Sequence, residues 1–399
     1  MQIHEHNPDN KTTGLALLNL GFRVFFLGAG LFSILSILLW SAVYIFKISL
    51  PVHSITIFQW HAHEMIYGYS VAVIAGFLLT AVKNWTGVQT VTGKPLLLIF
   101  SLWAIARLLF SSGISSFAIA GIFDVLFLLS VILSISHPII KVKQWKQLPI
   151  VFILVLLMTG NIFFYLGVLD VVNNGIIWGI YGGLYLVIGM VLTMGGRVIP
   201  FFIERGVGYP VKVIDSRWIN ITSHILFLVF FVSALFLNNP ALSAYLALGL
   251  FLVNAIKLIG WHTHGIWKKS LLWSIYLAFW FICFGFLLFA SHHFFGISKF
   301  LAIHAFAVGG IGLVTMGMMS RVALGHTGRN IETPHKSVAY ALGILLLAAI
   351  VRVIVPLFDS THYIFWIGLS QALWIVSFLM FTIIYLPILS KPRIDGQPG

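Results

Sequence analysis

Twelve apolar runs of roughly 20 residues follow one another from residue 18 to residue 388, separated only by short polar connections. A helix of about 20 residues spans the ~30 Å hydrocarbon core of a bilayer. Lipid offers no partner to a backbone N–H or C=O, so such runs cross it as helices. The expected architecture is therefore all-α and polytopic. Composition agrees, with 60% apolar and 8% charged residues against about 25% charged in a typical soluble domain. No stretch is charged enough to face water on all sides.

The expected spans are 18–46, 58–82, 95–111, 116–136, 148–168, 175–200, 219–237, 241–260, 271–291, 297–320, 337–357 and 362–388. They make one transmembrane domain, 18–388, between an N-terminal tail (1–17) and a C-terminal tail (389–399). Residues 1–17 are polar and the first run is too long for the apolar core of a cleaved leader, so none is expected. Cys283, the single cysteine, lies inside an apolar run, which argues against disulfides and thiolate metal sites.

The net charge of +13 could point to nucleic acid. Its distribution points elsewhere. The tails and the connections after even-numbered spans hold Lys11, Lys83, Lys94, Lys141, Lys143, Lys146, Arg197, Arg205, Lys212, Arg217, Lys257, Lys268, Lys269, Arg321, Arg329, Lys336, Lys391 and Arg393. Connections after odd-numbered spans hold only Lys47 and Lys299. By the positive-inside rule both termini are cytoplasmic, and the basic excess reports topology. The bilayer is the expected partner, and nucleic acid is not.

An internal repeat is visible. His63–Gly87 aligns without gaps on His304–Gly328 at an offset of 241 residues, with six identities in 25 positions. Thr193-Met194-Gly195 echoes Thr315-Met316-Gly317, which places the sixth span between the second and tenth. Three units of four helices, all running the same way, would produce this pattern.

An ionisable side chain inside a bilayer costs about 2.5 kcal/mol or more at the centre, so each needs a reason. The second span opens on Trp60-His61-Ala62-His63-Glu64-Met65. Two residues are about 200° apart on a helix, so His61 and His63 do not face one metal together. Either they serve two centres, or one ligates while the other hydrogen-bonds nearby; Glu64 could orient a ligating imidazole. An interfacial polar cluster is the bland alternative. His304 sits at the same depth in the tenth span, among glycines that would leave room for a flat macrocycle; a neutral imidazole is the usual haem ligand. Arg107, Asp124 and Arg352 are the buried charges. An Arg107–Asp124 ion pair and arginine recognition of haem propionates are the two readings of them. Arg197 and Arg321 close the sixth and tenth spans, where snorkelling and helix termination at Gly and Pro200 compete with function. His53, His292, His293 and His362 fall at the opposite rim, where imidazole suits copper. Met194, Met316, Met318 and Met319 read as packing residues.

Taken together, WHAHEMIYGY and AGFLLTAVKNWTG (60–87), TMGGRVIPFF (193–202), IHAFAVGGIGLVTMGMMSRVALGHTGR (303–329) and FRVFFLGAG (22–30) resemble the NnrS family of bacterial membrane proteins. The resemblance implies haem and copper, and resistance to nitric oxide and nitrosative stress. Carried over by position, it implicates His61, His63, Glu64, Arg197, His304, Arg321 and His326. One position departs: Tyr276 stands where the family pattern places a histidine, which puts a copper centre in doubt. The layout also resembles that of haem–copper oxidases, but the sixth span lacks a histidine. The expectation is a haem-binding protein, with copper as a second metal and nitric oxide as its small ligand. The haem would lie between the second and tenth spans near the periplasmic face. His63 and His304 would ligate its iron, His61 would serve a second metal or the distal side, and Arg107 and Arg352 would hold propionates. Whether it is an enzyme the sequence does not decide. A secondary transporter, which would show inverted six-helix halves, and an accessory subunit of a respiratory complex are the alternatives.

Overall fold

The computed structural model describes residues 16–49, 55–112, 117–237 and 239–397. Lys11 and His53 lie outside them. Twelve helices are long and apolar enough to cross a membrane. They are α1 (Gly21–Tyr44), α2 (Ile57–Thr86), α3 (Gly93–Ser111), α4 (Phe117–Lys141), α5 (Trp145–Val168), α6 (Gly175–Gly206), α7 (Arg217–Phe236), α8 (Pro240–Trp261), α9 (Ser270–Phe295), α10 (Lys299–His326), α11 (Lys336–Phe358) and α12 (Tyr363–Ser390). No strand occurs among the described residues. Leu98, Leu108, Ile122, Leu133, Phe152, Leu228 and Ile383 are exposed on the outer faces, where a soluble protein would place polar groups and lipid accepts apolar ones. The protein is a multi-pass membrane protein.

The helices pack in a thrice-repeated order. The first two of each set of four pack together (α1–α2, α5–α6, α9–α10), as do the last two (α3–α4, α7–α8, α11–α12). The fourth helix of each set then lies on the first of the next: α4 on α5, α8 on α9, and α12 back on α1. The result is a closed ring of three units, with α2, α6 and α10 meeting inside it.

The repeat extends to an irregularity in the backbone. Helix α2 passes through a π-helical stretch at Glu64–Ser70, and α10 through one at Ala305–Gly312. At the offset of 241 residues these stretches coincide, each starting immediately after its histidine, His63 or His304. A π turn bonds residue i to i+5, so it inserts a residue and loosens the carbonyl ladder. Side chains meet the loosened carbonyls. Trp103 Nε1 donates to Gly68 O at 2.8 Å, Ser70 Oγ to Met65 O at 2.7 Å, and Thr315 Oγ1 to Ile311 O at 2.6 Å. Tyr69 and Thr315 join the two helices by a hydroxyl–hydroxyl bond of 2.6 Å.

Two expectations need correction. Helix α6 does not end at Pro200 but runs on to Gly206, as α4 passes through Pro138 and α12 through Pro387. A transmembrane helix tolerates proline because neighbouring helices and local backbone adjustment satisfy the freed carbonyl. The glycines around His304 leave no open space either: Gly309 faces Phe281, Gly310 faces Ile282 and Gly312 faces Trp374. They let α9 and α12 approach α10 closely, a common use of small residues in membrane helices.

Candidate functional site

His61 and His63 diverge, as their spacing demands. His63 is fully buried. Its Nδ1 lies 3.1 Å from Glu64 Oε1 and its Nε2 2.9 Å from Asn161 Oδ1. Its ring is sandwiched between Phe110 and Phe164, each at 4.3 Å between centroids. Arg107 bonds both carboxylates of the group, Glu64 and Asp124, and Tyr165 Oη donates to Asp124 Oδ2 at 2.8 Å. Both partners of the His63 ring are side-chain groups of neighbouring residues, Glu64 and Asn161. Six side chains from α2, α3, α4 and α5 thus make a buried network in which Arg107 bonds both carboxylates.

This changes what the sequence suggested. Both nitrogens and both faces of His63 are engaged, and both charged ends of Arg107 are taken. In this arrangement His63 is held by Glu64 and Asn161, and Arg107 by Asp124 and Glu64. The Arg107–Asp124 pair, one of the two readings of these charges, is present.

The third unit brings a histidine and an arginine together without the carboxylates. His304 occupies the position of His63 at the offset of 241, and Arg352 lies near the end of α11 as Arg107 does near the end of α3. At the position of Glu64 stands Ala305. Arg352 is buried, yet it makes no ion pair among the described residues. Its guanidinium reaches Tyr363 Oη at 3.2 Å and lies 3.2 and 3.4 Å from the His304 ring nitrogens. His304 Nδ1 is 2.7 Å from Phe300 O, which makes it the N–H donor and leaves the lone pair on Nε2. His61 completes the group, close enough to His304 and Arg352 to feel their charge. Its ring stacks on Trp40 at 4.4 Å and 10° between planes, and its buried Nδ1 has no hydrogen-bond partner. His61 and His304 are half-buried. The partners of His63 and those of His304 do not overlap, so the structure joins His304 with His61.

The remaining candidates scatter. Arg197 is exposed and bonds Gln147 Oε1 at 3.1 Å, whereas the Arg321 guanidinium stacks 3.9 Å over the Phe202 ring. His326 packs against Phe22 near the Arg393 end of the chain. Of the rim histidines, His292 bonds Ile297 O at 2.7 Å and His362 bonds Asp359 at 2.9 Å. The His362 contact holds the Asp359 carboxyl below its usual range. No cluster of three or more His, Cys, Asp or Glu suited to a metal occurs among the described residues. Tyr276, where a family histidine was expected, donates to Leu258 O at 3.0 Å beside His262. It belongs with the basic connections and shares no partner with His61 or His304. Met316 and Met319 are buried packing residues, as expected.

Asn161, Tyr165, Trp40 and Tyr363 were not among the expected site residues. Asn161 alone carried a signal: an amide deep in an apolar run needs a partner there.

Fold and site together define a polytopic helical membrane protein with a histidine beside a buried arginine in each of two repeated units. The sequence model described as NnrS protein matches residues 16–393, nearly the whole chain, and the protein belongs to that family. No curated protein matches it.

Proposed function

We propose that this is a haem-binding protein of the bacterial inner membrane that protects the cell against nitric oxide, with both termini cytoplasmic. Its haem would be held between α2 and α10 by His304 and His61, with a propionate on Arg352. One observation carries the reading. Arg352 is a buried cation without a carboxylate among the described residues, beside one imidazole whose Nε2 meets its guanidinium and another with an unpartnered buried nitrogen. A buried guanidinium costs several kcal/mol unless an anion offsets it. A propionate matches its fork of donors, and neutral imidazoles suit iron. The residues present therefore fit the group.

Bound there, a haem would supply an iron able to bind nitric oxide. The protein's own residues orient and shield. The Phe300 carbonyl fixes the His304 tautomer, Trp40 holds the His61 ring flat, and Tyr363 braces Arg352. Copper, the second metal implied by the family resemblance, remains part of the proposal as a result to be sought by metal analysis.

The test is the visible spectrum and haem content of protein purified from haem-replete cells. A Soret band is expected, lost in His304→Ala and strongly reduced in His61→Ala and Arg352→Met. A colourless wild-type preparation sinks the proposal, and a spectrum unchanged in His304→Ala sinks the ligand assignment. Protection itself is read as growth of a deletion strain under a nitric oxide donor, complemented by wild type but not by His304→Ala.

A further inference from the structure

On the side carrying the C-terminal tail lies a cavity of about 600 Å³, between the ends of α6 and α10, the start of α9 and the α10–α11 connection. Four of its lining residues are cations, Arg205, Lys269, Arg321 and Arg329, and one, Glu332, is an acid. None of the four cations makes an ion pair among the described residues. The Lys269 ammonium donates to the Glu332 backbone carbonyl at 3.2 Å, and Arg329 to Thr327 O at 3.4 Å. The Arg321 guanidinium sits over the Phe202 ring, 3.9 Å from its centroid. Another carboxylate nearby, Asp395 beside Gly328, is held by Arg393. Leu271, Leu272 and Ile331 supply an apolar wall.

Four like charges around one partly apolar cavity repel one another, and an anion entering it relieves that repulsion. Three guanidiniums and an ammonium match a tetrahedral oxyanion, the arginines through paired donors and the lysine as a point charge. We propose that this cavity binds a phosphate-bearing anion. The source is either the headgroup of an anionic phospholipid, which basic pockets between transmembrane helices commonly take, or a soluble phosphate compound. The site stands on residues separate from the His61–His304–Arg352 group and does not rest on the haem reading.

The test uses the full-length protein in neutral detergent micelles at constant ionic strength set with sodium chloride. Thermal stability is followed on adding inorganic phosphate, cardiolipin or phosphatidylcholine. Cardiolipin or phosphate raises the unfolding temperature and phosphatidylcholine does not. Stabilisation by phosphate identifies a soluble source; stabilisation by cardiolipin alone identifies a lipid. Arg205→Gln and Arg321→Gln each weaken binding about tenfold, and Arg321→Lys less. If these variants fail to fold, wild-type protein still reports: the bound anion shields Lys269 from amine acylation, read by mass spectrometry against Lys268 as internal control. The proposal is overturned if neither ligand stabilises the protein, if binding is undiminished in Arg205→Gln and Arg321→Gln, or if Lys269 is not shielded.

Discussion

Arg107 and Arg352 lie near the ends of the third helices of their units, and their surroundings give them opposite consequences. Removing the Arg107 guanidinium strands Glu64 and Asp124 together in a buried site. Breaking a buried ion pair by deleting one partner costs about 3–5 kcal/mol. With an unfolding entropy of about 2 cal/mol/K per residue over the whole chain, that lowers the unfolding temperature by about 4–6 °C. Arg352→Met strands no carboxylate among the described residues; it loses contacts to Tyr363 and His304, about 1 kcal/mol each, and shifts the transition by about 3 °C at most. The assay is thermal unfolding of haem-free protein in detergent, followed by intrinsic fluorescence. The triple variant Arg107→Met, Glu64→Gln, Asp124→Asn removes the charges as a set and recovers most of the loss, because replacing a whole buried ionic group is often close to neutral. Equal shifts for Arg107→Met and Arg352→Met, or no recovery in the triple variant, would refute the assignment of a structural network to the first unit and an open site to the third.

Further outcomes follow from individual contacts. Asn161→Leu leaves His63 Nε2 without its acceptor and costs about 1–3 kcal/mol, seen as a lower unfolding temperature with haem content per folded protein unchanged. Gly183→Val drives a side chain into Tyr67, whose hydroxyl lies 2.6 Å from where a Cβ would sit. Overpacking of this kind costs about 1–3 kcal/mol, and Tyr67→Phe in the same chain relieves part of it. The Arg393 guanidinium grips Asp395 and pulls its carboxyl down to about 2 from an ordinary 3.8. A lowered carboxyl supports the folded tail fully above its ordinary value and loses that support as pH falls toward 2. Pepsin should therefore cut the C-terminal tail faster at pH 2 than at pH 4, relative to its rate on an unstructured peptide, and Asp395→Asn should remove the difference.

The span boundaries were legible because two separate signals reported them, apolar length and the alternation of Lys and Arg. Every observed helix overlaps its expected span. The repeat was also legible, through His63 and His304 and the glycines aligned with them. The π stretches were not, because an inserted residue inside a helix leaves no residue-type signature; the gapless alignment hid both by carrying one in each copy. The spacing of His61 and His63 showed that their rings diverge but not which one meets His304. That choice lies with Trp40 on α1, Phe110 on α3, Asp124 on α4 and Asn161 on α5, whose side chains converge only after folding. Two arginines read as equivalent propionate ligands parted for a similar reason. The difference between them is Glu64 against Ala305, one residue past each histidine, together with a carboxylate from a fourth helix.

The closure of α12 onto α1 has a consequence for biogenesis. Helix α1 leaves the ribosome first, and the helix it finally rests against leaves last. Arg23, near the start of α1, donates to the carbonyls of Leu389 and Lys391 at 2.8 Å, at the far end of α12. The seam between the first and third units thus stays open until α12 has been made. His61, next to α1, and His304 and Arg352 flank that seam, so their cluster is completed by the same late event. Insertion of a large flat ligand before the seam shuts would need no opening of a finished ring.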